Sequence, residues 1–281
     1  MKTIEFYNNV KRHMRDYKKN ILEIQENVEI NKKTYYHILP PCAKKFNILS
    51  PYTEKFWTFS KANQIPIHSD FSHLNSSQAL CFNFFFPLLD SEKKLSENKK
   101  LKCLLKALNI PISSDYQIDK AVFEYKQQNK SEIDFFIETT NEIKVFFEIK
   151  YTEPAFGTTT MKNQSPCKFN RILGGNFKNL IEKDIVEDGE KTKKNYQLIR
   201  NIINIGEKSY TVFIYPHNNK KIKYQAEHAS SFLNVESKNL KDHIIAIEWE
   251  TLLRNMESAL GEDYYSVFCK KYFPSLITNI L

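Results

Sequence analysis

The stretch that decides the fold runs Ser131-Glu132-Ile133-Asp134-Phe135-Phe136-Ile137-Glu138-Thr139-Thr140-Asn141-Glu142-Ile143-Lys144-Val145-Phe146-Phe147-Glu148-Ile149-Lys150. Two runs rich in Phe, Ile and Val flank the polar break Thr139 to Glu142, which is the pattern of a β-hairpin. An Asp, a Glu and a Lys thus fall inside apolar strands, where an isolated charge is costly. Strand alternation puts Phe146, Glu148 and Lys150 on one face and Phe147 and Ile149 on the other. If the turn is a three-residue loop centred on Asn141, Asp134 lies opposite Glu148, and cross-strand partners point the same way. Two carboxylates and an ammonium then converge.

Carboxylates that close repel unless a proton or a cation lies between them. Oxygen donors with water left in the shell suit Mg²⁺ or Mn²⁺, and a neighbouring Lys can orient or deprotonate a water or neutralise developing phosphate charge. That is machinery for phosphodiester hydrolysis. The competing reading is a surface hairpin with a cross-strand ion pair, a common arrangement that stabilises little. Glu-x-Lys alone discriminates nothing, since it begins at Glu92, Glu97, Glu124, Glu142, Glu148 and Glu236. The copy at Glu148 ends an apolar strand and has an Asp at hairpin distance on the preceding one.

Asp134 followed by Glu148-Ile149-Lys150, in a strand, hairpin and helix setting, resembles the PD-(D/E)XK nuclease superfamily, the fold of many type II restriction endonucleases. Ile133 stands where the superfamily name has Pro. A second segment, His73-Leu74-Asn75-Ser76-Ser77-Gln78-Ala79-Leu80-Cys81-Phe82-Asn83-Phe84-Phe85-Phe86-Pro87-Leu88, is similar to a helix of a bacterial restriction endonuclease family, so the likeness covers residues 50 to 250. The resemblance implies an α/β fold with a restriction-endonuclease-like core, a mixed β-sheet flanked by helices in the order α-β-β-β-α-β. It further implies a metal-dependent DNA endonuclease of restriction type. Asp134, Glu148 and the Ile149 carbonyl would bind Mg²⁺ or Mn²⁺, and Lys150 would assist the water and the transition state.

Further candidates lie on flanking elements. Glu124, on a strand from Ala121 to Gln127 ahead of the hairpin, is a candidate third carboxylate. Gln197 and Arg200 fall on a helix from Asn195 to Ile205, and in the resembling fold a polar residue of that helix faces the site. An ordinary exposed polar face is the alternative. Tyr210 to Tyr215 and Ile244 to Trp249 read as strands. Gln78 and Asn83 interrupt an apolar helix from Ser76 to Phe86 and read as amides satisfied by backbone groups.

Composition bounds the rest. The 281 residues carry a formal charge of +8 and a pI near 9.0, which suits a polyanionic partner such as double-stranded DNA and also occurs in proteins that never meet one. Five scattered cysteines without a Cys-x-x-Cys pair suggest neither a disulfide framework nor a zinc cluster, and fit a reducing cytoplasm. The start has no apolar signal core, and no uncharged apolar run of about 18 residues occurs, so no membrane is expected. Cutting both strands at a symmetric site makes a homodimer the economical expectation, with a companion methyltransferase as a further partner. A DNA-repair or junction nuclease, an RNA nuclease and a non-catalytic DNA-binding protein are the alternatives.

The chain is expected to divide into an N-terminal helical extension, 1–50, and a nuclease domain, 51–281, with an insertion at 152–194. Val10, Met14, Tyr17, Ile21, Ile24 and Val28 predict an amphipathic helix from about residue 3 to 29. Its Lys11, Arg12, Arg15, Lys18 and Lys19 could follow a DNA backbone, and its seam could pair with another subunit or simply pack on its own domain. The insertion reads as long, polar and irregular, and Lys162, Asn163, Gln164, Lys168, Asn170 and Arg171 offer donors to base edges and phosphates. Alanine substitution across Lys162 to Arg171 should change DNA binding, cleavage or sequence choice, mapped by sequencing the ends of a digest; an unaltered pattern would dismiss that role.

Overall fold

Alternating apolar residues and well-placed caps build the elements of the chain, seen in a computed structural model that describes residues 3–89, 95, 98–111, 113, 116–126, 132–158, 169 and 173–277. In order they are α1 (Thr3–Asn20), β1 (Val28–Ile30), β2 (Lys33–Tyr35), α2 (Thr53–Ala62), α3 (Ser77–Phe85) and α4 (Lys99–Ala107). Then come β3 (Ile118–Lys126), β4 (Glu132–Thr139), β5 (Lys144–Ile149), α5 (Gly175–Leu180), α6 (Lys183–Val186), α7 (Gly189–Lys194) and α8 (Tyr196–Ile202). The chain continues with β6 (Ser209–Tyr215), α9 (Lys220–Glu227), β7 (Ile244–Glu248), α10 (Trp249–Leu260) and α11 (Glu262–Tyr272). Two compact units result: Met1–Pro111 with Trp249–Leu281, and Ile112–Glu248.

The first unit is helical around α3. Every residue of α3 from Gln78 to Phe85 is buried, as a helix apolar on all sides must be. Ser76 caps it by accepting from the Ala79 amide at 3.3 Å, and the Phe86-Pro87 step leads out of it. Aromatic rings fill the space around it, with Phe56 4.7 Å from Phe82 and Phe84 edge-on to Trp249 at 5.0 Å. The two amide side chains of α3 serve the backbone, as expected. Gln78 accepts from the His68 amide and donates to Pro66 O, while Asn83 accepts from the Leu49 amide at 2.7 Å and donates to Asn47 O and the Tyr272 hydroxyl.

Helix α1 is shorter than its periodicity predicts. Val10, Met14 and Tyr17 are buried in the unit, but the helix stops at Asn20 and Ile21 is exposed. The cause is Lys18. Its ammonium turns inward and donates to Glu26 O, Asn27 Oδ1 and Ile38 O, folding the following segment back, and the chain reverses through Glu23 at a φ of 58°. Lys18 therefore leaves the basic face, which keeps Lys11, Arg12, Arg15 and Lys19, and Val28 enters strand β1.

The second unit is built on a five-stranded mixed sheet, ordered β3-β4-β5-β6-β7. Its first three strands are antiparallel neighbours, and β5, β6 and β7 run parallel. Parallel pairing needs crossovers, which α5 to α8 and α9 supply. This is the expected α/β core, a mixed sheet flanked by helices, here with one further parallel strand and preceded in the chain by an N-terminal helix.

Within the span expected to be irregular, the described residues include the helices α5 to α7. Leu173, Phe177 and Ile181 are buried with Phe169, Leu198, Ile202 and Phe213 in one core. Their recurrence every four residues from Phe169 is a helical signal that the surrounding polar residues obscure. Lys162, Asn163, Gln164, Lys168, Asn170 and Arg171 lie outside the described residues. Cys42, Cys81, Cys103 and Cys269 are free, and Cys167 lies outside the described residues. Among the described residues no helix is long and apolar enough to cross a membrane.

Asn83 is the polar linchpin of the helical unit. Replacing it with Leu strands the buried Leu49 amide, at a cost of about 1–3 kcal/mol for such a group, so Asn83→Leu should lower the urea midpoint without a change in slope.

Candidate active site

Register brings the acidic pair together. The Thr139 amide donates to Ile143 O at 3.0 Å, closing a loop of Thr140, Asn141 and Glu142, with Glu142 at a φ of 67°. Phe136 then pairs with Phe146 and Phe135 with Phe147, so Asp134 falls across from Glu148. The Ile149 amide donates to Asp134 Oδ2 at 2.6 Å, tying the two strand ends. A turn centred on Asn141 thus fixes the spacing of two carboxylates.

Glu148 is buried, at 2 % exposure, and surrounded by donors. Its Oε1 accepts from Lys150 Nζ at 2.5 Å and from Gln197 Nε2 at 2.7 Å, and its Oε2 accepts from Asn201 Nδ2 at 2.9 Å. The Arg200 guanidinium stands 3.9 Å from Oε2 and donates to Glu132 O at 3.3 Å. Arg200 Nε is buried and has no hydrogen-bond partner among the described residues. Helix α8 delivers these groups because Gln197, Arg200 and Asn201 are three and four residues apart and share a face. The Thr211 hydroxyl of β6 donates to Asn201 O at 2.8 Å, fastening that helix to the sheet.

Glu124 completes a row. Phe123 pairs with Phe135 and Tyr125 with Ile133, which sets Glu124 across from Asp134 on its other side. Its φ of 49° lies in the left-handed region, an uncommon state for a side-chain-bearing residue inside a strand that costs on the order of 1–3 kcal/mol. The residue is buried, and its charge reaches Asp134.

Charge crowding sets the proton affinities. Burial, then Glu148, then Glu124 push the Asp134 carboxyl well above the usual carboxylate range, against the opposing pull of Lys150 and the Ile149 amide. Burial draws Lys150 down, but Glu148, Glu153 and Asp134 outweigh it and hold the ammonium above its ordinary value. Lys150 is therefore a firm cation. The donor set suits a hard divalent ion: its candidate ligand atoms are oxygens, and its negative charge is concentrated enough that Asp134 tends to keep a proton.

Asp134, Glu148, Lys150, Ile149, Gln197 and Arg200 therefore gather at the end of β5, with Glu124 on β3 on the far side of Asp134. Asn201 was legible but unassigned: it sits four residues beyond Gln197, on the same helical face. Gly157 carried no sequence signal. Its amide donates to Gln197 Oε1 at 2.6 Å, and a Cβ there would stand 3.1 Å from that oxygen.

A family model described as "Restriction Endonuclease associating with ARP" matches residues 11–273. The chain belongs to that restriction endonuclease family. Its matched span contains the whole cluster around Glu148 and draws on residues of both units. No curated protein and no solved structure gives a significant match. Family membership makes the chain an endonuclease and agrees with the mixed sheet and its flanking helices.

The raised Asp134 carboxyl has a signed consequence for stability. Between the unfolded value near 3.8 and the raised folded one, the native state binds more protons, so stability falls as pH climbs through that window. Asn keeps an oxygen for the Ile149 amide and carries no charge. Asp134→Asn should therefore raise the melting temperature of the metal-free protein at neutral pH, with the gain fading below pH 4; an unchanged difference across pH would refute the crowding.

Proposed function

We propose that this restriction endonuclease family member is a Mg²⁺- or Mn²⁺-dependent DNA endonuclease with a PD-(D/E)XK-type site. The observation that carries the reading is the cross-strand placement of Asp134 against Glu148, with the Lys150 ammonium on the Glu148 carboxylate. Asp134 and Glu148 would hold the ion, with the Ile149 carbonyl as a further ligand and Glu124 adding negative charge behind Asp134. A bound divalent ion lowers the pKa of a coordinated water and neutralises charge on the scissile phosphate.

The chain's own residues do the rest. Lys150, being firmly cationic, stabilises negative charge developing on the phosphate and orients the attacking water. Gln197 and Asn201 fix both oxygens of Glu148, so the carboxylate keeps its direction. The uncommitted Arg200 Nε offers a donor to a phosphate oxygen.

Double-stranded DNA is the substrate this reading favours, supported by the restriction family and the net charge of +8. Action as a homodimer, beside a companion methyltransferase and in the cytoplasm, follows from a restriction role. The family description adds an association with ARP.

Asp134→Ala should abolish cleavage of unmodified plasmid in Mg²⁺ while leaving DNA binding intact, and retained Mg²⁺-dependent cutting would overturn the pair. Lys150→Met should slow single-turnover cleavage about 10²- to 10³-fold. Plasmid, four-way junction and RNA offered side by side separate restriction from repair and RNA cleavage. Calorimetry showing no Mg²⁺ or Mn²⁺ uptake, even with DNA, would leave a non-catalytic DNA-binding protein.

A further inference from the structure

Beyond Lys150 the chain turns back over its own site. The ammonium of Lys150 stands 5.3 Å from the centroid of the Phe156 ring, within the range where a ring face attracts a cation. Phe156 is buried and lies edge-on to Phe213 at 5.2 Å and 81°, and Phe213 is the β6 residue paired with Glu148. Its backbone is pinned on both sides. The Phe156 amide donates to Gln225 Oε1 at 3.1 Å, and Gly157 exchanges two hydrogen bonds with Gln197, amide to Oε1 at 2.6 Å and Gln197 N to Gly157 O at 3.1 Å. Gln197 in turn donates to the Glu148 oxygen that receives Lys150. The contacts close a ring: Lys150, Glu148, Gln197, Gly157, Phe156 and back to Lys150.

We propose that Phe156 is a positioning residue for Lys150, its ring face fixing the ammonium while the Gly157–Gln197 clasp fixes the ring. This deepens the nuclease reading and rests on it. During the reaction the Glu148 carboxylate, once it shares its charge with a divalent ion, holds the Lys150 ammonium less firmly. The quadrupole of a buried ring is not shared in that way. The absence of a side chain at Gly157 lets the clasp close, since a Cβ there would press on Gln197 Oε1.

The test is a double-mutant cycle joined to a readout that needs no catalysis. Phe156→Leu keeps an apolar side chain and removes the ring face, Phe156→Tyr keeps the face, and each is made with Lys150 or with Lys150→Met. Phe156→Leu should slow single-turnover plasmid cleavage roughly tenfold with the DNA Kd unchanged. Phe156→Tyr should restore most of that rate, and Phe156→Leu should add no loss in the Lys150→Met background. In the metal-free protein, acetic anhydride labelling of Lys150, followed by mass spectrometry, should rise several-fold in Phe156→Leu and not in Phe156→Tyr. Buried Lys271 in the other unit serves as the internal reference and should not change.

Equal losses in both backgrounds, or labelling that rises at Lys271 as well, would reduce Phe156 to a core residue and overturn the proposal. So would unchanged rate and labelling in Phe156→Leu. If Lys150→Met cleaves as fast as the parent, the catalytic role of Lys150 fails instead, and the labelling alone decides whether Phe156 positions it.

Discussion

The carboxylate of Glu148 is the group on which the sheet unit turns. It is buried at the end of β5, where an unpaired charge costs several kcal/mol. It is tolerated because Lys150, Gln197 and Asn201 donate to it and Arg200 stands close. Those donors come from its own strand and from α8. The burial of one side chain thus requires the helix to dock with a particular face on the sheet, and the Thr211 hydroxyl locks that docking.

Once Glu148 is fixed, its neighbours follow from register. A side-chain period of two leaves no freedom: shifting β4 against β5 by one residue would send Asp134 to the other face and bury Glu148 beside a phenylalanine. The three-residue loop at Asn141 prevents that slip. On the far side of Asp134, the left-handed backbone at Glu124 stores strain where a third acidic group meets the pair. Strain and crowded charge in one row of the sheet are costs a purely structural hairpin has no reason to bear. That concentration is why the cluster reads as a site for chemistry.

The helical unit obeys a different constraint. There the polar groups serve the backbone: Gln78 and Asn83 satisfy amides and carbonyls inside an aromatic core, and buried Lys271 donates to Asn47 O and Oδ1. The same economy ends α1 early. Burial lowers the proton affinity of Lys18, and the ammonium is held there by Glu26 O, Asn27 Oδ1 and Ile38 O, contacts that fold the chain back although the apolar periodicity extends to Val28.

The hairpin, its turn, the faces of Glu148 and Lys150 and the helix carrying Gln197 and Arg200 were all legible in the sequence, because periods of two and near four determine which side chains share a face. The five-stranded order, the end of α1 and the ordered helices after Leu173 were not, since each depends on partners far along the chain. Tertiary structure alone decided that Asn201 joins Gln197 on Glu148 and that Phe156 and Gly157 fold over Lys150. A contact across about 40 residues, such as Gly157 to Gln197, leaves no local pattern, for it is made by chain return and not by periodicity.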